Sequence, residues 1–110
     1  MNARFFADGD RADGGKLWTK SLVDLQYEAL LISQFTLCNR LKGNRFDFHL
    51  AMPGSDAEMA FDALVKDLRN EYKEEKIATG KFAAFMQVES VNEGPITIML
   101  DSRNRRGKQS

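Results

Sequence analysis

Ala29-Leu30-Leu31-Ile32-Ser33-Gln34-Phe35-Thr36-Leu37 is the stretch from which the fold can be read. It opens on continuous apolar residues and includes β-branched and aromatic side chains, the signature of a strand covered on both faces. Residues 29–37 are therefore expected to run through the middle of a sheet. The second half changes character, because Ser33, Gln34 and Thr36 are polar. Buried polar groups need partners, so this end either lines a cleft or emerges into solvent.

Upstream, residues 16–23 read as a strand and 24–27 as a turn. Arg4-Phe5-Phe6 reads as a short strand, followed by a loop from Asp8-Gly9-Asp10 to Gly14-Gly15. Downstream, residues 39–53 mix charge, Gly43 and aromatic side chains without a period and are expected to form a loop. Ser55 with Glu58 makes a capping-box pattern. Phe61, Leu64, Val65, Leu68 and Tyr72 then recur at helical spacing, as a core-facing stripe would, and Lys73-Glu74-Glu75-Lys76 is the solvated end. Thr79-Gly80 supplies the turn out. From Phe82 the period becomes two through residue 89, Asn92-Glu93-Gly94-Pro95 is turn chemistry, and residues 96–101 alternate again. The order predicts an α+β fold with a mostly antiparallel sheet and one main helix. Residues 1–102 are expected to form a single domain, and 103–110 a basic tail carrying Arg103, Arg105, Arg106 and Lys108.

The 110 residues are 43% apolar and 29% charged, a balance that favours a packed core over disorder. Sixteen basic and sixteen acidic side chains cancel. No protein-wide positive field is then available to hold a polyanion, and any RNA contact must be local. Cys38 and His49 are the only residues of their types, which excludes an internal disulfide and a cysteine-cluster zinc site. Neither a metal nor a cofactor is expected. The first residues do not read as a secretory leader, and no stretch approaches the ~20 apolar residues of a membrane span, so a reduced, cytoplasmic setting is the expectation.

Taken together, Ser33-Gln34-Phe35-Thr36-Leu37 and Asn92-Glu93-Gly94-Pro95-Ile96-Thr97 closely resemble the two signature motifs of the D-aminoacyl-tRNA deacylase family, Ser-Gln-x-x-Leu and Asn-x-Gly-Pro-[Val/Ile]-Thr. Lys42-Gly43-Asn44-Arg45, Asp47-Phe48-His49-Leu50-Ala51-Met52, Gly80-Lys81-Phe82 and Met86-Gln87-Val88 resemble the eukaryotic branch. The likeness runs from about Asn2 to Ser102. Phe46 stands where the family commonly has proline and Ala83 where it commonly has glycine. Members usually carry further strands and a helix ahead of the equivalent of Asn2, so the resemblance implies a chain shortened at that end.

The resemblance implies a deacylase-like sheet or partial barrel in a homodimer with sites at the interface. Its metal-independent activity would be hydrolysis of the ester between a D-amino acid and the acceptor end of tRNA, with glycyl-tRNA as a second substrate. Gln34 and Phe35 would offer backbone N–H groups to the oxyanion, with Ser33 shaping the pocket. Thr36 would act as a nucleophile or, needing fewer special neighbours, as a structural or positioning hydroxyl. Gly94 and Pro95, joined by a cis peptide, would reach into the partner's pocket and exclude an L side chain. Met86 would line the same pocket. Lys42, Arg45 and the tail are candidates for acceptor-stem phosphates, or else solvated charge. His49 and Cys38 read as structural. The competing expectation is a catalytically inactive, truncated member of the same fold acting as an interaction module.

Overall fold

The computed structural model describes residues 2–8 and 16–103. The loop expected after Asp8 and the tail beyond Arg103 lie outside the described residues. Six short strands and one long helix follow in the order β1 (Phe6–Asp8), β2 (Lys16–Lys20), β3 (Ala29–Leu31), β4 (Arg40–Lys42), β5 (Arg45–Asp47), α1 (Gly54–Glu71) and β6 (Ile77–Thr79). Among the described residues they pair as three two-stranded sheets, with no closed barrel. β1–β2 and β4–β5 are antiparallel, the sense expected for most of the sheet, although β4 and β5 lie where a loop was expected. β3–β6 is parallel.

That parallel pair follows from the helix. A parallel neighbour requires a long crossover, and α1 supplies it. Ala29, Leu30 and Leu31 stand opposite Ile77, Ala78 and Thr79, and the Gly80 N–H donates to Leu31 O at 3.0 Å, closing the ladder. Beyond Gly80 no described strand continues beside β3, so β3 stops at Leu31 instead of running to Leu37. The turn expected at Thr79-Gly80 does not form there: Thr79 ends β6, a strand of three residues too short to announce itself by periodicity, and the turn falls at Phe82 and Ala83.

Helix α1 begins at Gly54, one residue before the expected cap. Pro53 is the N-cap, with φ −53° and ψ 145°, and its carbonyl accepts the Ala57 N–H at 2.8 Å. Ser55 lies inside the first turn, and the cap makes no side-chain hydrogen bond. The reciprocal bond pattern occurs elsewhere. Ser21 N–H donates to Asp24 Oδ2 at 2.9 Å and Asp24 N–H to Ser21 Oγ at 3.1 Å. Ser21, only 3% exposed, anchors the turn at residues 22–26.

Of the expected apolar stripe Val65 is buried, Phe61, Leu68 and Tyr72 are half-buried and Leu64 is exposed. The helix docks mainly through its last turns. Arg69 donates to Ile77 O through Nε at 3.3 Å and Nη2 at 3.0 Å. The Tyr72 hydroxyl donates to Tyr27 O at 2.9 Å and Lys73 Nζ to Gln26 Oε1 at 2.7 Å. Phe6 meets Tyr27 edge-on at 4.9 Å between ring centroids.

Residues 84–100 depart furthest from expectation. Their alternation predicted two strands, yet none is paired among the described residues. Phe82 and Ala83 form a turn, with Ala83 at φ 57° and the Ala84 N–H on Lys81 O at 3.3 Å, which breaks the first run at its start. The rest is left with apolar side chains in solvent: Phe85 is 98% exposed, Val91 99% and Met99 93%. Alternation specifies two faces; it does not supply a neighbour to pair with.

Candidate functional site

The polar end of the β3 stretch forms a compact turn. Gln34 is extended at φ −152° and ψ 96°, after which Phe35–Leu37 makes a single 3-10 turn. Its bonds run from Leu37 N–H to Gln34 O at 3.4 Å and from Cys38 N–H to Phe35 O at 3.0 Å. The N–H groups of Phe35 and Thr36 precede the turn's first bond and have no acceptor inside it, as at the start of any helix. Two adjacent donors are therefore left unused by the turn's own bonds. Asn39 Nδ2 donates to Thr36 O at 2.9 Å, fixing the exit. Ser33 is half-buried, and Gln34, Phe35 and Thr36 are exposed.

Met86 comes to the same strand from the other direction. Gly80 has no side chain, and a Cβ built there would lie 3.3 Å from Met86 Cε, 3.4 Å from its Sδ and 3.6 Å from Ile32 Cγ1. The thioether and Ile32 thus both lie over Gly80, and Ile32 directly precedes Ser33. The structure brings Met86 and the Ser33–Thr36 motif to one end of β3.

Gly94 and Pro95 are joined by a cis peptide, with Gly94 at φ 115°, a conformation that only glycine adopts without strain. Both residues are exposed, and no contact joins them to the 3-10 turn among the described hydrogen bonds and ring pairs.

Lys42 and Arg45 face each other across the β4–β5 hairpin, whose Gly43-Asn44 turn places Gly43 at φ 61°. This hairpin occupies what the sequence reading treated as a loop. Charges at alternate positions hid the period, and the Gly43-Asn44 dipeptide was the available signal. Both side chains are exposed, and Lys42 Nζ lies 3.9 Å from Asp47 Oδ1.

Asp47 also accepts from the His49 backbone N–H at 3.2 Å and contacts the ring Nδ1 of His49. Hydrogen bonds from the His49 side chain and backbone hold the Asp47 carboxyl below its ordinary value. Between these two residues stands Phe48, whose ring meets Phe35 edge-on at 5.2 Å and 74°. Sequence reasoning did not assign Phe48 or Asp47 to the site, because a contact between two segments has no local period. Among the described residues no cluster of three or more His, Cys, Asp or Glu side chains is placed to hold a metal ion.

A separate open groove of about 590 Å³ runs between α1 and β6, floored by Phe61, Val65 and Phe82 and edged by Asp62, Lys66 and Arg69. None of the site residues expected from the sequence lines it. Location of the candidate site rests on the turn and its neighbours, not on this groove.

The family profile described as D-Tyr-tRNA(Tyr) deacylase matches residues 1–101. The chain belongs to this deacylase family. It is 50% identical over 102 residues to the human protein D-aminoacyl-tRNA deacylase 1, covering 93% of this chain and 47% of that protein. The Leishmania major protein of the same name is 50% identical over 93 residues, covering 84% of this chain and 61% of that one. A solved structure titled c-Myc DNA Unwinding Element Binding Protein superposes with a TM-score of 0.82 at 50% identity, over 93% of this chain and 66% of its own. This deacylase-family chain therefore spans about half the length of the human relative it matches, and it shares the fold of a longer solved one. No described helix of it is long and apolar enough to cross a membrane.

Proposed function

We propose that this chain hydrolyses the ester bond of D-aminoacyl-tRNA, releasing the D-amino acid and tRNA. The observation that carries the reading is the Ser33-Gln34-Phe35-Thr36 turn, whose leading N–H groups, those of Phe35 and Thr36, are not used by the turn's own hydrogen bonds. Ester hydrolysis passes through a tetrahedral oxyanion, and donors fixed before the reaction stabilise it without reorganisation. Gln34 and Phe35 were the donors expected from sequence, and the turn geometry favours Phe35 and Thr36. Ser33 and Met86 shape the pocket beside them. The Thr36 hydroxyl has no base among its described hydrogen bonds, which favours a positioning role over attack on the ester. The 2′-hydroxyl of the terminal ribose is then the group that assists the chemistry.

Selection against L substrates falls to Gly94 and Pro95, acting on the pocket of a second copy in a homodimer. The exposed apolar residues Phe85, Val91 and Met99 support association, since large uncovered apolar area favours it. Glycyl-tRNA, with no side chain to exclude, is a second substrate in this reading. Lys42 and Arg45 contact phosphates of the acceptor stem, and the protein acts in the cytoplasm. Residues 1–102 serve as one catalytic domain, with 103–110 as a basic appendage.

Matched D- and L-aminoacyl-tRNA, followed with the 110-residue chain and its Gly94→Ala variant, test this directly. Release from the D substrate alone, reduced or less selective in the variant, is the expected result. Equal release from both by the wild-type chain, or none from either by a folded sample, defeats it.

A further inference from the structure

The 3-10 turn at Phe35–Leu37 has little of its own to hold it. It buries no residue, and its N-cap Gln34 makes no side-chain capping bond. Two backbone bonds and the Asn39 amide define it locally. Phe35 itself is 61% exposed. A turn so lightly built would present its N–H groups over a range of directions unless something outside it fixed the ring of Phe35.

Phe48 is that group, and it stands on a braced segment. The preceding residue, Asp47, ends β5 in register with Arg40 and gathers the His49 N–H, the His49 ring and, more distantly, Lys42. The Phe48 carbonyl accepts the Ala51 N–H at 2.9 Å. Phe48 is half-buried, and its ring approaches Phe35 in the edge-to-face geometry that aromatic pairs prefer.

We propose that Phe48 is a positioning residue for the oxyanion turn: through Phe35 it fixes the direction of the Phe35 and Thr36 N–H groups, while Asp47 and His49 fix Phe48. The proposal rests on the deacylase reading for its catalytic consequence. Its structural half stands independently. The ring touches no reacting atom, so its loss should lower turnover and leave substrate affinity nearly intact.

Amide hydrogen exchange on the 110-residue chain reads the structural half. In Phe48→Ala, exchange at Cys38, whose N–H closes the turn, is expected to accelerate by about three- to tenfold, while Tyr72, bonded to Leu68 at the end of α1, is unchanged. Phe48→Tyr, which keeps the ring, should restore the wild-type rate. Unaltered exchange at Cys38, or equal acceleration at Tyr72, overturns the proposal. In the deacylase assay, Phe48→Ala is expected to lose about tenfold in kcat with KM within about twofold, and Phe48→Tyr to recover it. A wild-type kcat in Phe48→Ala, or a loss confined to KM, overturns the positioning role. A wild-type chain that releases no D-amino acid defeats the deacylase reading instead, and the exchange comparison still decides whether Phe48 holds the turn.

Discussion

Ala83 occupies the left-handed region at φ 57°, where a Cβ crowds the backbone and the family commonly carries glycine. Ala83→Gly is expected to raise stability by about 0.5–1 kcal/mol, the relief of the left-handed strain less the greater freedom of glycine in the unfolded chain. Denaturant melts would show the gain as a shifted midpoint at constant slope. At Gly80 the reverse change is informative. The added Cβ of Gly80→Ala would press on the tip of Met86, which is flexible enough to give way, so stability should change by less than about 1 kcal/mol. The proposed pocket narrows instead, and release from D-tyrosyl-tRNA should fall about three- to tenfold more than release from D-alanyl-tRNA; equal loss on both would remove Met86 from the pocket. The motif residues Ser33, Gln34, Gly94 and Pro95 stood out in the sequence through the resemblance of their two motifs to the deacylase family. Phe48 could not, since its significance lies in the ring it meets across the β4–β5 hairpin.

At the scale of elements, the Ser55/Glu58 pattern marked where the helix starts, but the capping box itself does not form. Ser-x-x-Glu before the apolar run suggested Ser55, but Pro53 already presets the helical entry, and the reciprocal bonds form between Ser21 and Asp24. Ser21→Ala is expected to cost about 1 kcal/mol, measured by thermal or denaturant melting. The same pair carries a pH signature. Backbone and side-chain hydrogen bonds from Ser21 lower the Asp24 pKa below 3.8. A carboxyl with a depressed folded value stabilises the protein above its unfolded pKa, and the contribution disappears as pH falls from about 3.8 through the lower folded value. Asp24→Asn should therefore flatten the acid limb of the stability profile in that window. The alternation over residues 82–89 and 96–101 was equally visible and did not yield strands, because the pattern marks faces while the ladder depends on a neighbour. The β4–β5 hairpin failed in the opposite sense: its partner strands are adjacent, but Arg40, Lys42, Arg45 and Asp47 mask any apolar period.

For the molecule as a whole, the exposed apolar side chains of residues 84–100 bear on the proposed association of two copies. Association through this segment predicts that Phe85→Ser combined with Met99→Ser lowers the sedimentation coefficient at a given concentration, while the melting of α1 by circular dichroism is unchanged. A wild-type chain that sediments as a monomer throughout would exclude the dimer. The single main helix was predictable from its period, and the mixed helix-and-sheet class was expected as well, although the period-two runs that suggested it at residues 82–89 and 96–101 form no strand among the described residues. The parallel pairing was not, since residues 29–31 and 77–79 are too short to reveal direction and far apart in sequence.

That separation has a kinetic consequence. Ala29 and Ile77 are partners across the whole intervening chain, and closing so long a loop has an entropic cost that must be met before the ladder gains anything. A formed α1, rigid over its 18 residues, shortens the flexible path that remains. The helix would then act as a splint during folding. Weakening it at an exposed position such as Ala63 with glycine should slow the folding limb of a chevron more than it speeds unfolding.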